Sequence, residues 1–437
     1  MRPFSTRGSA CTRATRYICP KRFYNLQPRR PFSDKKGPGD PLRILFCGSD
    51  AFSTTSLRAL HEYSQTPESN ILSIDVVTKT DKRTGRGLKT LTAPVIKPAA
   101  LELGLPLHQI DTFTGWNPPE YRTHGIPSIN LVVAVSFGLL IPPRILNNAK
   151  YSGLNVHPSL LPDLRGAAPI QWTIIYGRTT TGVSLQTLHP RKFDEGVILD
   201  QTPAPGLRIP NPDIIDVTEL THLLAPVGAK MLVDAVRNRL YIPPYTPVQQ
   251  HSGKPAHVSY APKITPQMCA VDFNTLTAED ILRRGRAIKP LYALAERQSE
   301  PGCLTRINFG TDMRAPSVED VPEGMRAETE SIPNGLPYAI IDMHETVDQS
   351  SKPLLVNTLS SEKHRDHRVV FPRITVSSFK RGYGAAAAAR AGLFTEPLIY
   401  GKYKLYRFSQ PLSVQPASGE TKPAVGLAQP HIQRAKL

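Results

Sequence analysis

Three features of the chain predict a parallel α/β sheet with helices on both faces, followed by a second domain. Short apolar runs recur at Leu42 to Cys47, Ile71 to Val77 and Asn130 to Val135, each the length of a fully buried strand. Segments of helical composition separate them, and strand–helix alternation of this kind builds a parallel sheet. A proline-punctuated stretch near residue 247 then separates this half from the remainder of the chain, so a second domain is expected beyond it.

In order, Leu42 to Cys47 ends in Gly48-Ser49-Asp50, a turn leading into a helix. Ala93 to Leu103 reads as a helix despite Pro94 and Pro98. Gly153 to Val156 reads as a further strand. A long helix from Val217 to Leu240 carries an apolar stripe through Leu220, Leu224, Met231 and Val236, with a kink expected at Pro226. The run from Tyr241 to Pro255 is a linker, Ala278 to Ile288 a helix, Val369 to Phe379 an alternating strand, and Ala385 to Ala389 a stretch of plain helix. Residues 310–368 are rich in Pro, Ser, Glu and Asp and read as a loop insertion. The first strand-to-helix turn lacks Gly-x-Gly-x-x-Gly, which argues against a dinucleotide cofactor.

Composition narrows the function. With 437 residues, two domains are the natural expectation, and 40% hydrophobic against 20% charged residues describes an ordinary soluble protein. No run of 18 apolar residues exists, so no membrane span is expected. Cys11, Cys19, Cys47, Cys269 and Cys303 show no Cys-x-x-Cys spacing, which points to neither a zinc site nor a disulfide framework. Residues 1–33 carry eight Arg or Lys and no acid, mixed with Ser and Thr, the composition of a mitochondrial transit peptide. Arg30-Pro-Phe-Ser33 resembles a matrix-peptidase site with cleavage after Phe32. The alternative is a basic arm for nucleic acid. Loss of those eight charges from the net +17 leaves +9, still suited to a polyanionic partner.

The richest stretch for chemistry is Asn155-Val-His-Pro-Ser-Leu-Leu-Pro-Asp-Leu-Arg-Gly-Ala-Ala-Pro-Ile-Gln171, followed by Phe193-Asp-Glu-Gly196. Asn155 and His157 alternate along a strand and therefore share a face. Pro158 to Pro162 must turn away from it, and Pro169 suits the first turn of a helix. An amide, an imidazole and a later carboxylate at the C-terminal edge of a strand suit acyl-type chemistry.

At these residues the chain resembles the methionyl-tRNA formyltransferases, within the larger group of enzymes that use 10-formyl-tetrahydrofolate. The larger group shares Asn-x-His and a downstream Asp-x-Gly, matched by Asn155, His157, Asp194 and Gly196. The run from Ser159 to Gln171 resembles the tRNA-formylating branch. The resemblance implies a Rossmann-like parallel-sheet formyltransferase domain over residues 41–246. A linker over 247–262 follows, then a smaller β-barrel (OB-like) domain over 263–410 that supports the tRNA and holds the 310–368 insertion, and a tail over 411–437. It implies transfer of a formyl group from 10-formyl-tetrahydrofolate to initiator methionyl-tRNA, in the mitochondrial matrix, with no metal, no membrane and no stable protein partner. Asn155 and His157 would stabilise the oxyanion and Asp194 would orient His157. The segment before Asp194 is one residue longer than the family's, so Glu195 is the alternative carboxylate, although Gly196 restores the pattern. Ser159, Leu160, Leu161 and Pro162, with Phe137, Gly138 and Leu139, would wall the folate. The basic run from Lys79 to Lys89, read as a flexible loop with glycines at 85 and 87, resembles the family's tRNA-recognition loop, with Lys82, Arg83, Arg86 and Lys89 facing the acceptor stem together with Arg165. The competing readings are a folate-dependent formyltransferase acting on a small amine, and an inactive tRNA-binding homologue.

Overall fold

The computed structural model describes residues 39–119, 128–248, 258–343, 352–360, 367–377, 379 and 382–414. The transit-peptide segment, residues 249–257 of the linker and the tail from residue 415 onward lie outside the described residues, as does the side chain of Arg86.

The strand β1 (Leu42–Gly48) is an interior strand of the first sheet and is buried along its whole length. Helix α1 (Ala51–Ser64) returns the chain to β2 (Ile71–Thr78), which pairs parallel with β1. A short hairpin of β3 (Lys82–Thr84) and β4 (Thr90–Thr92) interrupts the alternation before α2 (Ile96–Glu102) and β5 (Leu107–Gln109). The chain then crosses to the other side of β1 with β6 (Leu131–Val135), α3 (Pro143–Asn148) and β7 (Gly153–His157). After α4 (Pro169–Ile175) and β8 (Thr180–Thr181), the strands β9 (Ser184–Thr187) and β10 (Ile198–Gln201) close the sheet antiparallel. The order is β10-β9-β7-β6-β1-β2-β5. The strands run outward in opposite directions from β1, so the crevice at the C-terminal ends of β1 and β6 is the switch point where α/β sheets place ligands.

Helix α5 (Val217–Arg237) packs on α1, and Gly228 permits the contact, because a Cβ there would meet the Phe52 ring at 2.8 Å. Both helices start on a capping box, Asp50 with Ser53 and Asp216 with Glu219. Helix α5 runs unbroken through Pro226 for 21 residues. Its buried face, from Leu220 through Leu224, Met231 and Leu232 to Val236, outweighs the one hydrogen bond that the proline removes.

Two regions differ from the sequence expectation. The Lys79–Lys89 run is part of a paired hairpin, with Lys82 opposite Thr92 and Thr84 opposite Thr90. Glycines 85 and 87, at φ of 75° and 70°, turn the chain, and β-branched threonines on both sides favour extended pairing. Residues 310–368 contribute two full core strands, Pro337–Asp342 and Leu354–Asn357, both buried. These belong to a five-stranded antiparallel sheet with Arg368–Phe371, Leu398–Tyr400 and Tyr403–Arg407. A four-stranded antiparallel sheet, Tyr292–Arg297, Glu300–Phe309, Arg373–Val376 and Gly382–Tyr383, packs nearby around Phe273, Phe309 and Phe371, the last two stacked at 4.2 Å. Antiparallel pairing throughout this half is what a closing barrel needs. Asn357 ties it together, accepting from the Tyr338 hydroxyl and donating to the carbonyls of Thr329 and Ile332 at 2.8 Å.

The strap from Ser259 to Pro262 joins the halves. Leu164 N–H donates to the Ser259 carbonyl, Ala261 N–H to Arg165, Ala168 N–H to Ala261, and the Trp172 indole to Pro262. Stretched beside the Leu164–Ala168 loop, the strap fixes the backbone next to the candidate site.

Candidate active site

A cavity of about 530 Å³ opens at the switch point. That volume lies in the range of small-molecule sites. Its floor is built from β7. Asn155 and His157, two apart, emerge on the same face, and the antiparallel partner β9 places Gln186 opposite Asn155. The carboxylate of Asp194 arrives from the turn between β9 and β10, and its own φ is 55°.

Four donors converge on that carboxylate. Oδ1 accepts from Asn155 Nδ2 at 3.2 Å and from Gln186 Nε2 at 3.1 Å, and lies 3.3 Å from His157 Nδ1. Oδ2 accepts from the Gly166 N–H at 2.9 Å. The other ring nitrogen of His157, Nε2, sits 3.0 Å from the Leu164 carbonyl. Both nitrogens therefore face acceptors, and only the imidazolium donates to both. The side chains of His157 and Asp194 are 6% and 7% exposed, which keeps water from competing for the contact. Glu195, by contrast, is exposed and paired with Lys192 at 2.9 Å, whose ammonium holds its carboxyl below the usual range.

Gln186 was not singled out from the sequence. It is 1% exposed, and while its amide holds Asp194 its carbonyl accepts from the Gly196 N–H at 3.1 Å. Its only sequence signal is a polar residue at an inward position of a strand. Glycine is required at 196, since a Cβ would stand 1.7 Å from the Thr187 carbonyl oxygen. Gly166 is equally constrained, at φ 130° with the Ala261 carbonyl 2.3 Å from any Cβ. Gly166→Ala is expected to push the loop away from the strap and take its N–H off Asp194. Turnover should fall about tenfold or more and thermal stability by about 1–3 kcal/mol, read in a single-turnover assay and a melt. Wild-type turnover would show that the fourth donor is dispensable.

The remaining expected residues divide. Phe137, Gly138 and Leu139 line the cavity, and Leu140, Ile141, Gly166, Ala167 and Gln171 join them. Ser159, Leu160, Leu161 and Pro162 do not reach it. The Ser159 hydroxyl donates to the Asp163 carbonyl at 2.7 Å, Leu161 N–H to the Ser184 hydroxyl at 3.0 Å, and Gln201 donates to the Leu161 carbonyl. These residues set the curvature of the loop that carries Leu164. Burial pushes the Asp50 carboxyl on the opposite wall upward, against hydrogen bonds from Ser53 and Ser136.

The basic hairpin is exposed and stands on a polar base. Lys97 holds Asp81 at 2.8 Å and Gln109 at 2.9 Å, and Lys82 pairs with Asp111 at 2.6 Å. Arg83 and Lys89 form no ion pair among the described residues. Arg165 is half-buried, with its Nε enclosed, and lies within electrostatic reach of Glu195. Among the described residues there is no cluster of His, Cys, Asp and Glu able to hold a metal, and no helix long and apolar enough to cross a membrane.

The family pattern of the formyl transferases matches residues 42–208, the stretch that builds this sheet and its cleft. A mitochondrial methionyl-tRNA formyltransferase of Saccharomyces cerevisiae is 34% identical over 307 residues, covering 62% of this chain and 75% of that protein. The Homo sapiens mitochondrial protein of the same name is 32% identical, over 58% of this chain and 59% of its own length. A methionyl-tRNA formyltransferase of Methylococcus capsulatus is 33% identical, over 67% and 87%. The chain belongs to the methionyl-tRNA formyltransferase family.

Proposed function

We propose that the protein transfers the formyl group of 10-formyl-tetrahydrofolate to the α-amine of initiator methionyl-tRNA, in the mitochondrial matrix. The observation that carries this reading is the Asp194 carboxylate, shared by Asn155 and His157 at the floor of an apolar-walled cavity. In the reaction the amine lone pair forms a bond to the formyl carbon, and the carbonyl π pair moves to oxygen. Asn155 keeps one amide N–H on Asp194 and has a second to give to that oxyanion. His157 is anchored through Nε2 on Leu164. Its Nδ1 proton, held at a slack 3.3 Å, is the one available to the developing charge. The amine proton leaves through water toward Asp194. The carbonyl then re-forms and expels N10 of the folate, which takes up a proton, so the products are the formylated aminoacyl-tRNA and tetrahydrofolate. The cavity wall of Phe137, Gly138 and Leu139 suits the flat pteridine. We assign residues 41–246 to catalysis and 263–410 to support of the tRNA.

The hairpin is the element that separates a tRNA substrate from a small amine. Formyl transfer to methionyl-tRNA is expected to exceed transfer to free small amines by orders of magnitude. Lys89→Ala should weaken tRNA binding and flatten its salt dependence by about 0.9 in slope, as one lost phosphate contact requires. Lys82→Ala should do less, because Asp111 already neutralises that ammonium. Efficient formylation of a small amine, with tRNA inert, would sink the substrate assignment. For the location, a soluble reporter carrying residues 1–40 should be recovered in the matrix fraction, and a cytosolic reporter would refute it.

A further inference from the structure

The carbonyl of Leu164 anchors His157 Nε2 at 3.0 Å, yet the φ of Leu164 is 58°. That is the left-handed region, which a bulky side chain keeps only where its surroundings hold it. A clamp at the preceding residue does the holding. Asp163 accepts the Ser259 N–H on Oδ1 at 2.8 Å and faces Arg178 Nη2 with Oδ2 at 3.2 Å. The same guanidinium nitrogen donates to the Ser259 hydroxyl at 3.0 Å, and the Ser259 carbonyl accepts from the Leu164 N–H at 2.8 Å. The loop after β7, the chain beyond α4 and the strap therefore close on one another around Asp163. None of Asp163, Arg178 and Ser259 lines the catalytic cavity.

We propose that Asp163, held by Arg178, is a positioning residue for formyl transfer, acting through Ser259 and Leu164 on the orientation of His157; the inference rests on the formyl-transfer reading above. The Asp163 and Arg178 side chains are 23% and 37% exposed, so their attraction alone contributes little. What the clamp sets is a position. Without the carboxylate the Ser259 N–H loses its acceptor, the strap is free to draw back from the Leu164 N–H, and Leu164 can relax out of the left-handed region. Its carbonyl then turns off His157 Nε2, and the ring keeps Asp194 as its one acceptor. Gly166 is less affected, because Ala261 ties the loop independently at Arg165 and Ala168. Since the strap leads into the second half of the chain, the same link carries any displacement of that half to the His157 ring.

In the full chain, Asp163→Ala is expected to lower single-turnover formyl transfer about tenfold, with the apparent affinities for both substrates within about twofold of wild type. Arg178→Met keeps the aliphatic stem and loses the charge, and being at the surface it spares the fold; a loss of about threefold in the same direction is expected. The deciding arm repeats both substitutions in the His157→Ala background. Most of their effect should vanish there, because it passes through that ring, whereas a general weakening of the fold would multiply through both backgrounds. A second readout needs no substrate. With nitrogen-labelled histidine, the Nε2–H of His157, assigned by its absence in His157→Ala, should exchange with water many-fold faster in Asp163→Ala than in wild type. Equal losses of turnover in both backgrounds, or unchanged exchange, would overturn the proposal. Lost tRNA affinity at wild-type turnover would overturn it too, making the clamp a seat for the second half. Wild type without formyl transfer to methionyl-tRNA would refute the functional reading, and the exchange measurement would still decide the clamp.

Discussion

His157→Ala and Asn155→Ala are each expected to lower single-turnover formyl transfer by on the order of a hundredfold or more, with folate and tRNA affinities within a few-fold of wild type. Each substitution removes a donor that the ground state does not need and the oxyanion does. The scaffold should tolerate both. Asn155 is on a strand whose ladder bonds to β6 and β9 come from the backbone, and Asp194 retains Gln186 and Gly166 when either side chain is lost. His157→Ala also frees the Leu164 carbonyl, and a loss of about 1–3 kcal/mol of stability accompanies it. A variant within a few-fold of wild-type turnover would remove that residue from the chemistry.

Much of this floor was legible from the sequence, and what was not has a physical cause. Two residues apart on a strand share a face, so Asn155 and His157 fall together by local geometry alone. The carboxylate needs the fold. Asp194 is 37 positions from His157, and its place depends on the length of the turn from Leu188 to Val197, which no periodicity encodes. The structure puts Asp194 on Asn155, Gln186 and Gly166 and turns Glu195 to Lys192. Gln186 was missed because a lone polar residue in a strand reads as solvent-facing until the opposite strand is known. The strap residues Ser259 to Pro262 were missed as well. Their role is made of backbone hydrogen bonds, which carry no side-chain signature.

The fold shows the same division. The strands β1, β2 and β6 declare themselves as apolar runs, because both of their faces are covered. The Pro337–Asp342 and Leu354–Asn357 strands lie inside a stretch whose average composition is polar, and averaging hid runs of six and four residues. The hairpin was read as a loop because its glycines outweighed the threonines that pair across it. The Ser159–Pro162 segment carried the family signature, yet its polar groups turn inward to Asp163, Ser184 and Gln201. A motif of this kind marks a needed loop shape as readily as a contact surface.

Asp194→Asn is expected to have a larger effect than either donor substitution, on the order of a thousandfold in turnover with folate binding nearly unaltered. The argument is one of hydrogen-bond direction as well as charge. Asp194 accepts at both oxygens, from Asn155 and Gln186 on Oδ1 with His157 beside it, and from Gly166 on Oδ2. An asparagine has one oxygen and one NH₂, so either the Gly166 N–H or the side-chain donors meet another donor. The charge that faces the His157 ring disappears as well, and with it the electrostatic support for an imidazolium whose Nε2 also needs a proton for the Leu164 carbonyl. Asn155 then loses the acceptor that fixes its amide, so both oxyanion donors are misaimed by one change. Glu195→Gln is the matched control. It removes a neighbouring, exposed charge that is hydrogen-bonded to Lys192 and outside the Asp194 network, and turnover should stay within about twofold. A larger loss from Glu195→Gln than from Asp194→Asn would move the catalytic carboxylate to position 195 and with it the geometry argued for this site.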